Sequence, residues 1–287
     1  MWKSFEQTAH AFKGVACPRE YRSPEDVPEG AILVDIYTDT GQLTALSWLQ
    51  PTDFKHPSGR LSVGMIYAHE IPREFMGASL ILTRYAKDYA DAPLKYLMDN
   101  ICPIRGEFEA TMALIRSIAH EPLQQFVQSV LSVPDIYSSF WYCKAAMIST
   151  ASNGSLAINS RHIAELSRQA FEGNPEHVQH VLTYGLLHDV GKVRCFREDE
   201  YGQLPTNLIP ERVGYSIVAN ALDELKACSP EDGNIMESLF SGRWRSADDP
   251  VTHYMGSLVM AFANKQAKTS TFESQKANLN WHPRIVT

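Results

Sequence analysis

The chain has 287 residues, 44% of them hydrophobic, and a formal net charge of −7. This length and hydrophobic content allow one large or two ordinary domains with a sizeable core. The negative charge argues against a protein that coats nucleic acid nonspecifically, and no apolar run approaches the ~20 residues needed to span a bilayer.

The N-terminus and the cysteines favour the cytoplasm. Residues 1–6 lack the apolar core of a signal peptide. The five cysteines are widely spaced without a C-x-x-C pair, so neither a zinc ribbon nor a disulfide framework is indicated. We therefore expect a cytoplasmic protein with reduced thiols and no membrane partner.

The first third of the chain has the pattern of a β domain. Residues 1–25 show little pattern, but four later segments are short, rich in strand-forming residues and separated by turn residues. They comprise residues 31–37, 43–48, 61–67 and 78–83. We predict a small β-barrel at residues 1–87.

From residue 88 onward the apolar residues follow a helical period, as at 110–115 and 123–131. We predict a helical connector at 88–134, an all-helical domain at 135–272 and a tail at 273–287. The predicted fold class is α+β, with a small barrel followed by an all-α domain.

The most informative motif lies in this helical part, where an apolar run ends in His188 and Asp189, followed by Gly191 and Lys192. Histidine and carboxylate are ligands used by Mn, Fe and Mg sites, and a lysine close behind suits phosphate chemistry. A helix over 160–170 carries His162, which two antiparallel helices would bring level with His188.

The helix that leads to this motif has its own start signals. Asn174 is predicted to cap it, and Pro175 is predicted at its first position. His177 and His180 lie on the same helix and are interpreted as solvent-facing polar residues.

Together, His162, the His188-Asp189 pair and the following Gly191-Lys192 resemble the HD-domain phosphohydrolases. The chain looks most similar to the YhaM-like 3′-to-5′ exoribonucleases, which place an OB-fold before the HD domain, and TraI-type HD domains of conjugation proteins are a weaker match. This resemblance implies that His162, His188 and Asp189 bind one divalent cation, Mn, Fe or Mg, and that Asp189 and Lys192 are catalytic.

The chain also departs from the family pattern at three positions. Tyr215 replaces a histidine, residues 241–243 replace a His-His-Gly element, and Asn264 replaces the closing aspartate. Asn264 can supply an amide oxygen as a fourth ligand, but it adds no negative charge. We therefore expect one metal ion at most.

Two functions follow from these patterns. The first is a metal-dependent phosphohydrolase that resembles a 3′-to-5′ exoribonuclease and acts on a nucleotide or a nucleic-acid end. The alternative is a catalytically inactive scaffold that binds single-stranded nucleic acid or a protein partner. Tyr37, Trp48 and Tyr67 are candidate stacking platforms and Arg60 a candidate phosphate contact, although residues 1–90 hold more acidic than basic side chains.

Overall fold

A computed structural model describes residues 9–19, 28–88, 92–146, 151–197, 208–246 and 249–279. The chain is α+β, as predicted, with the strands preceding a helical region. It divides into two compact units. Unit 1 is Met1–Ile101 with Gln128–Ser138, and unit 2 is Cys102–Val127 with Ser139–Thr287.

Unit 1 is built on five strands. They are β1 Ala9–Pro18, β2 Ile32–Thr38, β3 Gly41–Ser47, β4 Val63–Phe75 and β5 Ala78–Asp88. Hydrogen bonds join them in the order β1-β2-β3-β5-β4, and β4 returns to β1 in a closed barrel. β3 pairs with β5 in parallel, whereas the other pairs are antiparallel.

Side chains that alternate along the strands fill the barrel interior. The buried cluster consists of Ala16, Val34, Ile36, Ala45, Phe54, Ile66, Ala68, Leu80 and Leu82. Two glycines let neighbouring strands of the barrel approach each other closely. A Cβ at Gly14 would lie 2.5 Å from the Tyr37 carbonyl oxygen, and one at Gly64 would lie 2.8 Å from the Tyr85 ring.

The helices follow the barrel. They are α1 Glu107–Arg116, α2 Glu121–Leu131, α3 Pro134–Tyr137, α4 Ser139–Tyr142, α5 Ser155–Ala170, α6 Val178–Leu187, α7 Lys192–Cys195, α8 Pro210–Cys228, α9 Pro230–Ser241 and α10 Pro250–Leu279. Within the described ranges, no helix is both long and apolar enough to cross a membrane.

Several predicted boundaries differ from the structure. β1 lies in residues 1–25, where no strand was expected. α6 begins at Val178 with His177 as its N-cap, so the predicted start at Asn174 and Pro175 is wrong. The predicted connector is shared between the two units, and α10 continues into the predicted tail as far as Leu279. The remainder of that tail, 280–287, lies outside the described residues.

Candidate functional site

His188 lies at the C-terminal end of α6, a helix buried along nearly its whole length. Its Nδ1 donates a hydrogen bond to the Gly185 carbonyl oxygen at 2.8 Å, so Nε2 carries the lone pair in the neutral ring. Nε2 is buried and makes no hydrogen bond. An imidazole oriented in this way by a backbone carbonyl is typical of a metal ligand.

Asp189 is the second group of the site. Its Oδ2 lies 3.2 Å from His188 Nε2 and accepts a hydrogen bond from Lys192 Nζ at 2.6 Å. Burial alone would raise the pKa of the Asp189 carboxyl, but His188 and Lys192 outweigh this effect and hold the pKa far below its usual range. Asp189 is therefore ionised at neutral pH.

Two neighbouring groups complete this environment. The Tyr184 ring is 6.5 Å from the His188 ring, centre to centre. Burial raises the pKa of the Cys143 thiol to about 12, with Lys192 opposing the shift and Asp189 adding to it. Cys143 is thus a protonated, unreactive thiol near the site.

Glycine packing positions the segment that follows Asp189. A Cβ at Gly191 would lie 1.9 Å from the Pro210 carbonyl oxygen and 2.5 Å from the Gly214 backbone nitrogen. Only glycine allows α8 to approach the chain this closely. The Gly-Lys part of the motif therefore has a structural role at Gly191 and an electrostatic role at Lys192.

The two other predicted metal ligands are arranged differently. His162 is exposed on α5, and its Nε2 accepts a hydrogen bond from Arg161 Nη2 at 3.2 Å. Arg161 is anchored by bidentate hydrogen bonds to the buried Glu107. Asn264 is exposed on α10. Within the described part of the chain, no three His, Cys, Asp or Glu side chains form a group that could hold a metal ion.

Two of the positions that depart from the HD-domain pattern lie in a separate charged cluster. Tyr215 Oη donates a hydrogen bond of 3.5 Å to Glu237 Oε1. The same carboxylate accepts hydrogen bonds from Lys226 and Arg243. Glu237 therefore forms an ion pair with Arg243, the last residue of the replaced element.

A second histidine cluster was missed from the sequence. His180 is buried, and its Nε2 lies 2.7 Å from Asp232 Oδ1. His120 Nε2 lies 2.9 Å from Asp232 Oδ2, and Ser229 donates a hydrogen bond to the same carboxylate. The interpretation of His180 as solvent-facing is wrong, because Asp232 pairs with it inside the helical unit.

The predicted nucleic-acid contacts on the barrel fall into different environments. Tyr37 is 3% exposed and packs edge-on against Tyr137, so its predicted role as a stacking platform is wrong. Arg60 donates a hydrogen bond to Ser129 Oγ at 2.5 Å. Trp48 is 48% exposed, and the partly exposed Tyr67 ring lies 5.2 Å from the Arg84 guanidinium carbon.

No protein-family model matches the chain, and no curated protein is significantly similar to it in sequence. The resemblance therefore depends on the motif residues themselves. Of the predicted ligands, the structure brings His188 and Asp189 together and holds Lys192 beside them.

Proposed function

We propose that the protein is an HD-type phosphohydrolase that acts on a phosphodiester at a nucleic-acid end. The observation that carries this proposal is the buried Nε2 of His188, which lies 3.2 Å from the Asp189 carboxylate. An imidazole and a carboxylate, two kinds of side chain that bind divalent metals, lie next to a lysine that can neutralise a phosphate.

The architecture supports the same proposal. The barrel order β1-β2-β3-β5-β4, with a parallel β3–β5 pair, is the order we expect of an OB-like barrel. We propose that unit 2 is the HD domain. An OB-like barrel that binds single strands would complement a hydrolase that acts on their ends.

The proposed chemistry assigns a role to each group. His188 and Asp189 would hold one divalent cation, Mn, Fe or Mg, which supplies Lewis acidity and lowers the pKa of a bound water. Lys192 would shift from Asp189 towards the phosphate as substrate binds and offset its negative charge. Asp189 would accept the proton of the attacking water. His162 and Asn264 would become ligands only after their side chains rearrange.

Metal content and hydrolysis test this proposal together. We expect about one equivalent of manganese in the wild-type protein and none in the His188→Ala, Asp189→Ala variant. The manganese-loaded protein should shorten a 5′-labelled single-stranded RNA from its 3′ end, and the exposed Asp223→Ala control should behave like wild type. If the double variant retains the activity, the proposal is wrong.

A second candidate function is a non-catalytic binding scaffold, which one observation favours. Cationic side chains already bind two proposed ligands, since Lys192 contacts Asp189 and Arg161 contacts His162. In that case the protein takes up no manganese yet binds single-stranded RNA. Tyr67→Ala should weaken this binding, because Tyr67 and Arg84 then form the contact surface.

A further inference from the structure

The turn that follows α9 carries a cation stacked on an aromatic ring. Arg245 Cζ lies 4.8 Å from the centre of the Trp244 ring, in the short 3-10 turn Arg243–Ser246. Trp244 is buried, whereas Arg245 is exposed. We call this pair the Trp244–Arg245 stack.

The Trp244 ring is fixed from several directions. A Cβ at Gly256 would lie 2.3 Å from the ring, so the indole rests directly on the backbone of α10. His253 packs edge-on against it at 5.9 Å and donates a hydrogen bond from Nδ1 to the Trp244 carbonyl oxygen at 3.0 Å. A ring held in this way restricts the guanidinium that lies on it.

Arg245 differs from its neighbour Arg243 in its partners. Arg243 hydrogen-bonds to Glu237, but Arg245 forms an ion pair with none of the carboxylates that the structure describes. Arg245 is also exposed, so an anionic ligand can reach its guanidinium.

Two ring contacts connect the end of α9, which precedes the Trp244–Arg245 stack, to His188. The last turn of α9 packs against α6, with the Phe240 and Tyr184 ring centres 5.2 Å apart, and Tyr184 in turn packs against His188.

We propose that Arg245, held by Trp244, binds a phosphate group of the substrate beside His188 and Asp189. This inference rests on the proposed function, and it deepens that function by assigning phosphate recognition to a guanidinium. A guanidinium offers two parallel N–H donors to phosphate oxygens, whereas an ammonium acts as a point charge. Arg245 would orient the phosphate while Lys192 offsets its charge.

The test of this inference is the binding of inorganic phosphate to the full chain without added metal. Broadening of the ³¹P NMR line of the phosphate reports the binding. The variants are Arg245→Gln, Arg245→Lys and the control Arg116→Gln, an exposed arginine 3.8 Å from Glu109. We expect Arg245→Gln to weaken binding by about tenfold, the loss of one charge-assisted pair. Arg245→Lys should be intermediate and Arg116→Gln unchanged.

Phosphate binding that is equally tight in Arg245→Gln, or absent from the wild-type protein, would overturn the inference. Hydrolysis is measured separately, so that the two proposals can fail independently. Arg245-dependent phosphate binding without hydrolysis supports the phosphate site and rejects the hydrolase. Hydrolysis with a KM unaffected by Arg245→Gln rejects the phosphate site, whereas a raised KM with a smaller change in kcat supports it.

Discussion

At the scale of single residues, the site is defined by competition for one carboxylate oxygen. Lys192 Nζ binds Asp189 Oδ2, the same oxygen that lies beside the unbonded His188 Nε2. A divalent cation held between His188 Nε2 and Asp189 Oδ2 would share that oxygen with Lys192. We therefore propose that the ammonium competes with the metal, and that substrate phosphate would relieve the competition by attracting Lys192.

This competition predicts that Lys192→Gln binds manganese more tightly. Removing one ammonium at contact distance from a partly buried carboxylate should increase affinity by about tenfold, or ~1.4 kcal/mol. Equilibrium dialysis against manganese at neutral pH measures the change. The same substitution should slow hydrolysis, because the phosphate loses a neutralising charge. Unchanged or weaker manganese binding would show that Lys192 does not compete.

At the scale of elements, local sequence signals predicted several strands and helices, whereas contacts between residues distant in sequence were missed. Residues 31–37 and 78–83 are rich in strand-forming residues, and they lie almost wholly in β2 and β5. β1 was missed because its inward-facing positions include the small Gly14 and Ala16, which give little hydrophobic signal. The contacts that bury His180 and that anchor Arg161 beside His162 join residues from different helices, so spacing within one helix could not reveal them.

The contact between α5 and α6 gives an element-scale prediction. A Cβ at Gly185 would lie 2.9 Å from the Ala164 Cα, so the two backbones touch. Gly185→Ala should lower the free energy of unfolding by about 1–3 kcal/mol through overpacking, although alanine favours helices. Gly173→Ala is the matched control, because nothing lies within 4 Å of that Cβ. Urea unfolding curves compare the two, and equal stabilities would contradict the close contact.

The His120, His180 and Asp232 cluster ties α6 to α9 and to the segment before α2, and it predicts acid sensitivity. Burial lowers the pKa of His180, although Asp232 opposes the shift. Burial would raise the pKa of Asp232, but Ser229 and His180 outweigh it and lower that pKa. Both groups thus bind protons more readily in the unfolded chain, and their stabilisation is lost as pH falls.

The loss should begin as pH falls below about 6.5, where histidine in the unfolded chain gains its proton, and continue below about 3.9 as aspartate does. Hydrogen exchange of α6 amides at pH 7.5 and pH 5 measures it, after correction for the intrinsic exchange rate. His180→Gln should show a smaller decrease in protection than wild type, and His56→Gln should match wild type. The same decrease in His180→Gln would assign the acid sensitivity to other groups.

At the scale of the whole molecule, charge limits how nucleic acid can bind. The net charge is −7, so any contact must be local and involve few phosphates. For single strands, the logarithm of the affinity falls with the logarithm of the salt concentration, with a slope of about −0.7 for each phosphate that the protein neutralises. With about two phosphates neutralised, the affinity should fall by only about sevenfold between 50 and 200 mM salt. Fluorescence anisotropy of a labelled single strand measures this slope, and Arg84→Gln should reduce it by about half. A slope several times steeper would point to an extended basic surface and would contradict local binding at Tyr67 and Arg84.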